Sequence, residues 1–204
     1  MPGLPGAIEK VRLADDGTVQ NRVIGAVAPA GICGSGLVDL MSELVRTERM
    51  NVLGRFEGGA EDFVVAQSDG RPITFSEADV NALAQAKGAN VAGLQIAFAE
   101  YGIRYQDLDV FYLAGGFGRH LNIESSKRIG LIPSIPAAKI VQVGNASVEG
   151  ACIALLSRAK RAELEQLVRR VVHCRLETHP GFFDFFVNGC QFAAVENTAE
   201  VADA

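Results

Sequence analysis

Asp109-Val110-Phe111-Tyr112-Leu113 runs directly into Ala114-Gly115-Gly116-Phe117-Gly118. After the aspartate, the first half is continuously apolar, the pattern of a strand buried on both faces. The second half places glycines at the strand end, where a missing Cβ lets backbone approach a ligand closely. In an α/β sheet that carboxyl edge is where ligands collect.

Two further stretches repeat the theme. Residues 139–143 read as a second buried strand, followed by Gly144-Asn145 and a helix over 146–157. Gly31-Ile32-Cys33-Gly34-Ser35-Gly36 forms a glycine loop ahead of a helix over 37–49, with Leu37, Leu40, Met41, Leu44 and Val45 on one face. Upstream, strands over 7–13 and 21–28 flank a turn at Asp15-Asp16-Gly17. A short strand over 63–66 meets a turn at Ser68-Asp69-Gly70. The longest helix spans 76–101, with Ser76 as N-cap, Glu77 and Asp79 in the first turn and Gly102 closing it. Residues 122–129 form a short helix ended by Gly130, and 163–172 form another. Residues 174–177 suit a strand and 180–186 a short aromatic helix. The alternation predicts an α/β fold, a mixed sheet flanked by helices. One domain over 1–196 and a disordered tail over 197–204 are expected.

Composition bounds the function. At 204 residues with 49% hydrophobic content the chain can bury a core. A formal charge of −5 argues against a nucleic-acid binder, though not against a local cationic pocket. No apolar run reaches the ~18 residues of a membrane span, and residues 1–6 lack the pattern of an export signal. A cytoplasmic protein with reduced thiols is therefore expected. The four cysteines, at 33, 152, 174 and 190, include no C-x-x-C spacing, and Cys152 and Cys174 read as core. Glycine stands out, at 22 residues against 7 prolines, and it gathers at the ends of apolar runs.

Glycine junctions of this kind suit phosphate, because helix-start N–H groups attract anions. Singly, the 31–36 junction also reads as a tight turn, and 115–118 as close strand–helix packing. Jointly they favour a nucleotide. No G-x-x-x-x-G-K-[ST] is present, so a P-loop is excluded. A dinucleotide fingerprint fails as well: its third glycine would fall at Leu121, and strand 140–143 ends without a ribose-binding acid.

The ordered set of motifs resembles the C-terminal region of the corrinoid-protein reductive activators. It comprises Pro5-Gly6-Ala7-Ile8-Glu9-Lys10-Val11, Gly31–Asp39, Ile73-Thr74 and Asp79, and Ala86-Lys87-Gly88-Ala89. It continues with Tyr112–Gly118, Arg128-Ile129-Gly130-Leu131-Ile132-Pro133 and Val143-Gly144-Asn145-Ala146. The resemblance covers most of residues 5–160. It implies a ribonuclease H-like, actin-like ATPase subdomain of the actin, sugar kinase and Hsp70 class. Such activators return cob(II)alamin to cob(I)alamin on a corrinoid protein or B12-dependent methyltransferase. The electron comes from a [2Fe-2S] ferredoxin domain, and ATP drives the uphill step.

This chain departs from that pattern. The two Asp-Gly loops expected against phosphate and magnesium are missing, and so is the four-cysteine cluster motif. The resemblance therefore implies the C-terminal piece of a longer protein. Its ATP–Mg cleft would be completed by residues elsewhere, and its [2Fe-2S] cluster would lie in an N-terminal domain. Alone, the piece would be neither a redox protein nor a competent ATPase. A noncatalytic interaction module of the same fold, or half of a small-molecule kinase, are the competing readings; a homodimer is left open.

The resemblance also assigns roles. Gly115, Gly116 and Phe117 match the adenosine motif, with backbone at ribose and α-phosphate. Gly31, Gly34, Ser35 and Gly36 match the other glycine loop, facing phosphate or supporting the cleft. Lys87 reads either as a nucleotide contact or as a snorkelling stem with a wet head. Asn145 reads as a nucleotide contact or as a helix cap. Cys33 is a packing residue or a thiol activated by a helix start. The three histidines, 120, 173 and 179, show no metal spacing. The phenylalanines of 182–186 read as core or seam, or as a docking face for the corrinoid partner. The arginines of 158–161 and 169–170 read as a solvated helix face.

Overall fold

The computed structural model describes residues 1–196; the disordered tail expected over 197–204 lies outside them. Strand β1 (Ala7–Leu13) pairs antiparallel with β2 (Val19–Val23), and β3 (Gly31–Ile32) joins β1 in parallel at Ala7 and Ile8. This is a mixed sheet of order β2-β1-β3. Strand β2 ends earlier than the sequence suggests, because the chain turns at Ile24–Ala26 with Gly25 at φ +81°.

Helix α1 (Gly34–Arg46) lies on β1. Its buried Leu40, Met41 and Leu44 meet Ile8, Val11 and Leu13 in the main core, with Val80, Phe75 and Phe192. A Cβ at Gly36 would run into the Ile8 carbonyl oxygen, so only glycine allows this helix to sit so close. Glu43 and Arg46 then finish the strand: the Leu13 amide donates to Glu43 at 2.9 Å, and Arg46 donates to the Leu13 carbonyl at 2.6 Å.

Strands β4 (Asp62–Ser68) and β5 (Arg71–Ser76) form an antiparallel hairpin. The sequence reading missed β5, whose Pro72 argues against a strand; a two-stranded hairpin leaves an edge on which proline is tolerated. Helix α2 (Glu77–Tyr101) starts with a capping box between Ser76 and Asp79 and ends at Gly102.

Strand β6 (Phe111–Leu113) leads into a single-turn helix, α3 (Gly115–His120), then α4 (Ile123–Arg128), capped by Asn122. Parallel to β6 lies β7 (Ile140–Gln142), followed by α5 (Ala146–Leu156), α6 (Arg158–Val168) and α7 (Phe182–Cys190), the last packed along α2.

Several expectations change here. The strands of 110–113 and 140–143 are not buried: Tyr112 is 65% exposed, and Val110 and Val141 are also open. Their apolar content calls for cover on two faces, which the described residues do not supply. Helix α6 begins at Arg158 rather than 163, started by the Ser157 side chain accepting from the Lys160 amide. Residues 174–177 form no strand; a 3-10 turn runs over Leu176–Thr178. Cys152 is exposed and Cys174 half-buried, so neither is a core residue.

Gly36→Ala is expected to lower stability by about 1–3 kcal/mol, the usual overpacking cost, because backbone rather than a flexible side chain blocks the methyl. Equilibrium urea unfolding measures it, and an unchanged midpoint contradicts the close approach of α1 to β1.

Candidate functional site

The fold brings the first two glycine junctions together. Phe117 of α3 lies against Gly34 at the start of α1, where a Cβ would come 2.5 Å from the Phe117 ring. Between them opens a cavity of about 420 Å³ lined by Glu9, Cys33, Gly34, Ser35, Gly116, Phe117 and His120, among others. Ser35 anchors this end of α1 by donating to the Glu9 carbonyl at 3.0 Å. The buried Cys33 thiol donates to the Ile8 carbonyl at 3.4 Å, a packing arrangement.

The other predicted residues fall in distinct places. Gly115 and Gly116 have no atom within 4 Å of where a Cβ would stand, so no neighbouring element fills the space their missing side chains leave. Gly115 has φ +93° and donates its N–H to the Gly144 carbonyl at 2.9 Å, tying the third junction to the second. Asn145 caps α5: its side chain accepts from the Val148 amide at 3.1 Å, and it does not line the cavity. Gly31 sits in β3 beneath the Met1 side chain, and Gly36 is filled by the Ile8 contact. These two contribute packing rather than open backbone.

Lys87 is neither wet nor free. It is 4% exposed, and its ammonium donates to the carbonyls of Gly189 and of Gln191, the latter at 2.7 Å. It also lies 5.5 Å from the centre of the Phe192 ring. A cation at the last carbonyls of α7 satisfies acceptors that a helix end leaves orphaned. Burial holds the amine down to about 8. Lys87 also borders an apolar cavity of about 310 Å³, shared with Gly34, Leu83 and Phe117.

A polar cluster escaped the sequence reading. Asp39 of α1 is buried and accepts from Ser125 of α4 at 2.8 Å; burial raises its carboxyl above the usual range, against the pull of that hydrogen bond. Arg128 donates to Ser42 at 2.6 Å, and Glu43 binds Arg46. Asp39, Glu43, Arg46, Ser125 and Arg128 border a groove of about 590 Å³ beside Lys10, Arg12 and Arg22. The available signal was spacing: Ser35, Asp39 and Glu43 recur every four residues on one side of α1. Among the described residues no group of His, Cys, Asp or Glu is placed to hold a metal ion, and no helix is long and apolar enough to cross a membrane.

Lys87→Met tests the buried amine. Between pH 8 and 10.5 the unfolded chain holds a proton on Lys87 that the folded chain has lost. Stability of the native protein should therefore rise across that window relative to the variant, by at most about 3 kcal/mol. Parallel pH–stability curves would show that the amine is solvated.

The family described as the C-terminal domain of RACo, the ASKHA domain, matches residues 1–201. A corrinoid activation enzyme RamQ of Eubacterium limosum is 31% identical over 94% of this chain and 36% of its own length. A [Co(II) methylated amine-specific corrinoid protein] reductase of Methanosarcina barkeri is 30% identical over 58% of this chain and 22% of its own. A solved reductive activator for corrinoid, iron-sulfur protein superposes with a TM-score of 0.85 at 34% identity, over 95% of this chain and 33% of that one. The chain thus spans about a third of the length of its best-covered relatives. The α/β architecture is that of the actin-like ASKHA class, and the chain belongs to the family of RACo C-terminal ASKHA domains.

Proposed function

We propose that this chain is the nucleotide-binding C-terminal part of an ATP-dependent reductive activator. The whole protein would return cob(II)alamin to cob(I)alamin on a corrinoid protein or B12-dependent methyltransferase, in the cytoplasm. The observation that carries the nucleotide reading is the free space beside Gly115 and Gly116, the latter lining the cavity where α1 and α3 meet. The names of the relatives support the corrinoid reading.

Within that reading, the residues divide the work. Gly115 and Gly116 offer backbone without side chains, so ribose and α-phosphate can approach. Phe117 presents a half-exposed ring as a surface for the base. Gly34 and Ser35 begin a 13-residue helix whose N-terminal amides favour negative charge. Asn145 and Lys87 act by holding α5 and α7 in place. The donor set fits the nucleoside and one phosphate. Among the described residues the cavity's sole carboxylate is Glu9, already paired with Arg22, so magnesium would need ligands other than these. ATP would supply the driving force for an electron delivered from a [2Fe-2S] centre elsewhere in the protein.

The test is calorimetric titration of ATP–Mg into the full-length protein. Gly116→Val should weaken binding at least tenfold, about 1.4 kcal/mol, while leaving the circular dichroism unchanged. Unaltered affinity removes the glycine assignment. Capture of a corrinoid methyltransferase that does not respond to ATP would instead favour a noncatalytic interaction module.

A further inference from the structure

Helix α5 reads as an interior helix and sits on the surface. Its sequence, Ala-Ser-Val-Glu-Gly-Ala-Cys-Ile-Ala-Leu-Leu, carries one charge in 11 residues. A helix apolar on all sides belongs in a core. Yet none of its residues is buried, with Leu155 75% and Leu156 85% exposed. The surface continues onto α6 and the segment after it through Leu164, Leu167, Val168, Val171 and Val172, the last 88% exposed. Strands β6 and β7, which precede α5 in the chain, likewise leave Tyr112 and Val141 open. Monomeric proteins seldom leave more than a few hundred Å² of contiguous apolar surface uncovered.

We propose that α5 and the apolar side of α6 form a docking face for the polypeptide that precedes this domain in its relatives, a buried seam rather than a free surface. Length identifies the occupant. About two-thirds of each well-covered relative lies outside the matched region. The matched region is described as C-terminal, so that polypeptide comes before it. Residues 197–204, small and acidic, offer only two apolar side chains larger than a methyl group among Asn-Thr-Ala-Glu-Val-Ala-Asp-Ala when Thr is counted with Val, too few to cover this face. A second copy would bury α5 against an equally apolar α5, but would leave unexplained why β6 and β7 are open as well. The inference rests on the family for the identity of the occupant and not on nucleotide binding.

Hydrogen–deuterium exchange tests it on two molecules: this chain alone, and a chimera in which it replaces the matching region of the Eubacterium limosum relative. Peptides from 146–172 should exchange at least tenfold more slowly in the chimera. Equal rates in a chimera with native-like circular dichroism overturn the proposal. Independently, the chain alone should bind a hydrophobic dye, and Leu155→Glu with Leu156→Glu should reduce that binding without loss of helicity. A discrete dimer of the chain that the same pair of substitutions splits into monomers assigns the face to a second copy and overturns the proposal. A failed ATP titration leaves these readouts unaffected, so the two readings fail separately.

Discussion

The absence of one methyl group at Gly36 sets the distance between α1 and β1, and most of the domain hangs from that contact. With α1 seated on the Ile8 carbonyl, its first turn reaches Phe117, its middle presents Asp39 to Ser125, and its last turn closes Leu13. Three hydrogen-bonded or packed attachments follow from one close approach. The helix is thereby both the wall of the core and the frame of the cavity, and its buried polar atoms are matched by partners from β1 and α4.

What was legible in the sequence was what local chemistry decides. Ser76 and Asp79 announce α2 because their side chains satisfy its first amides, and the same logic makes Asn145 readable as a cap ahead of α5. Strand β5 was hidden because Pro72 is permitted only by an edge that pairing alone reveals. Helix α3 was hidden because three of its six residues are glycines, poor helix formers whose first amide is held by the Gly144 carbonyl.

The candidate site was legible in part for the same reason. Glycine clusters indicated where backbone is left uncovered by side chains, and Gly115, Gly116 and Gly34 do border open space or a cavity. Glycine itself does not say whether the missing side chain makes room for a ligand or for a neighbouring element; Gly36 and Gly31 are of the second kind. Lys87 shows the limit of periodicity. Its place on the inner stripe of α2 was readable, but its partners lie on a segment about a hundred residues away. The buried strands inferred at 110–113 and 140–143 went astray because apolar composition reports a need for cover, not where the cover comes from.

The hydrogen bond from Gly115 to the Gly144 carbonyl has a thermodynamic reach beyond its length. One end belongs to the open glycine backbone, and the other leads within two residues to the start of α5. A group that shifted Gly115 would act on the peptide that leads into α5, and a polypeptide seated on α5 would act back on Gly115. Linkage makes that influence equal in both directions: whatever free energy binding at one end confers on the other is returned in full. If both the cavity and the α5 face are occupied, this bond is the backbone link between them, and any coupling it carries is reciprocal.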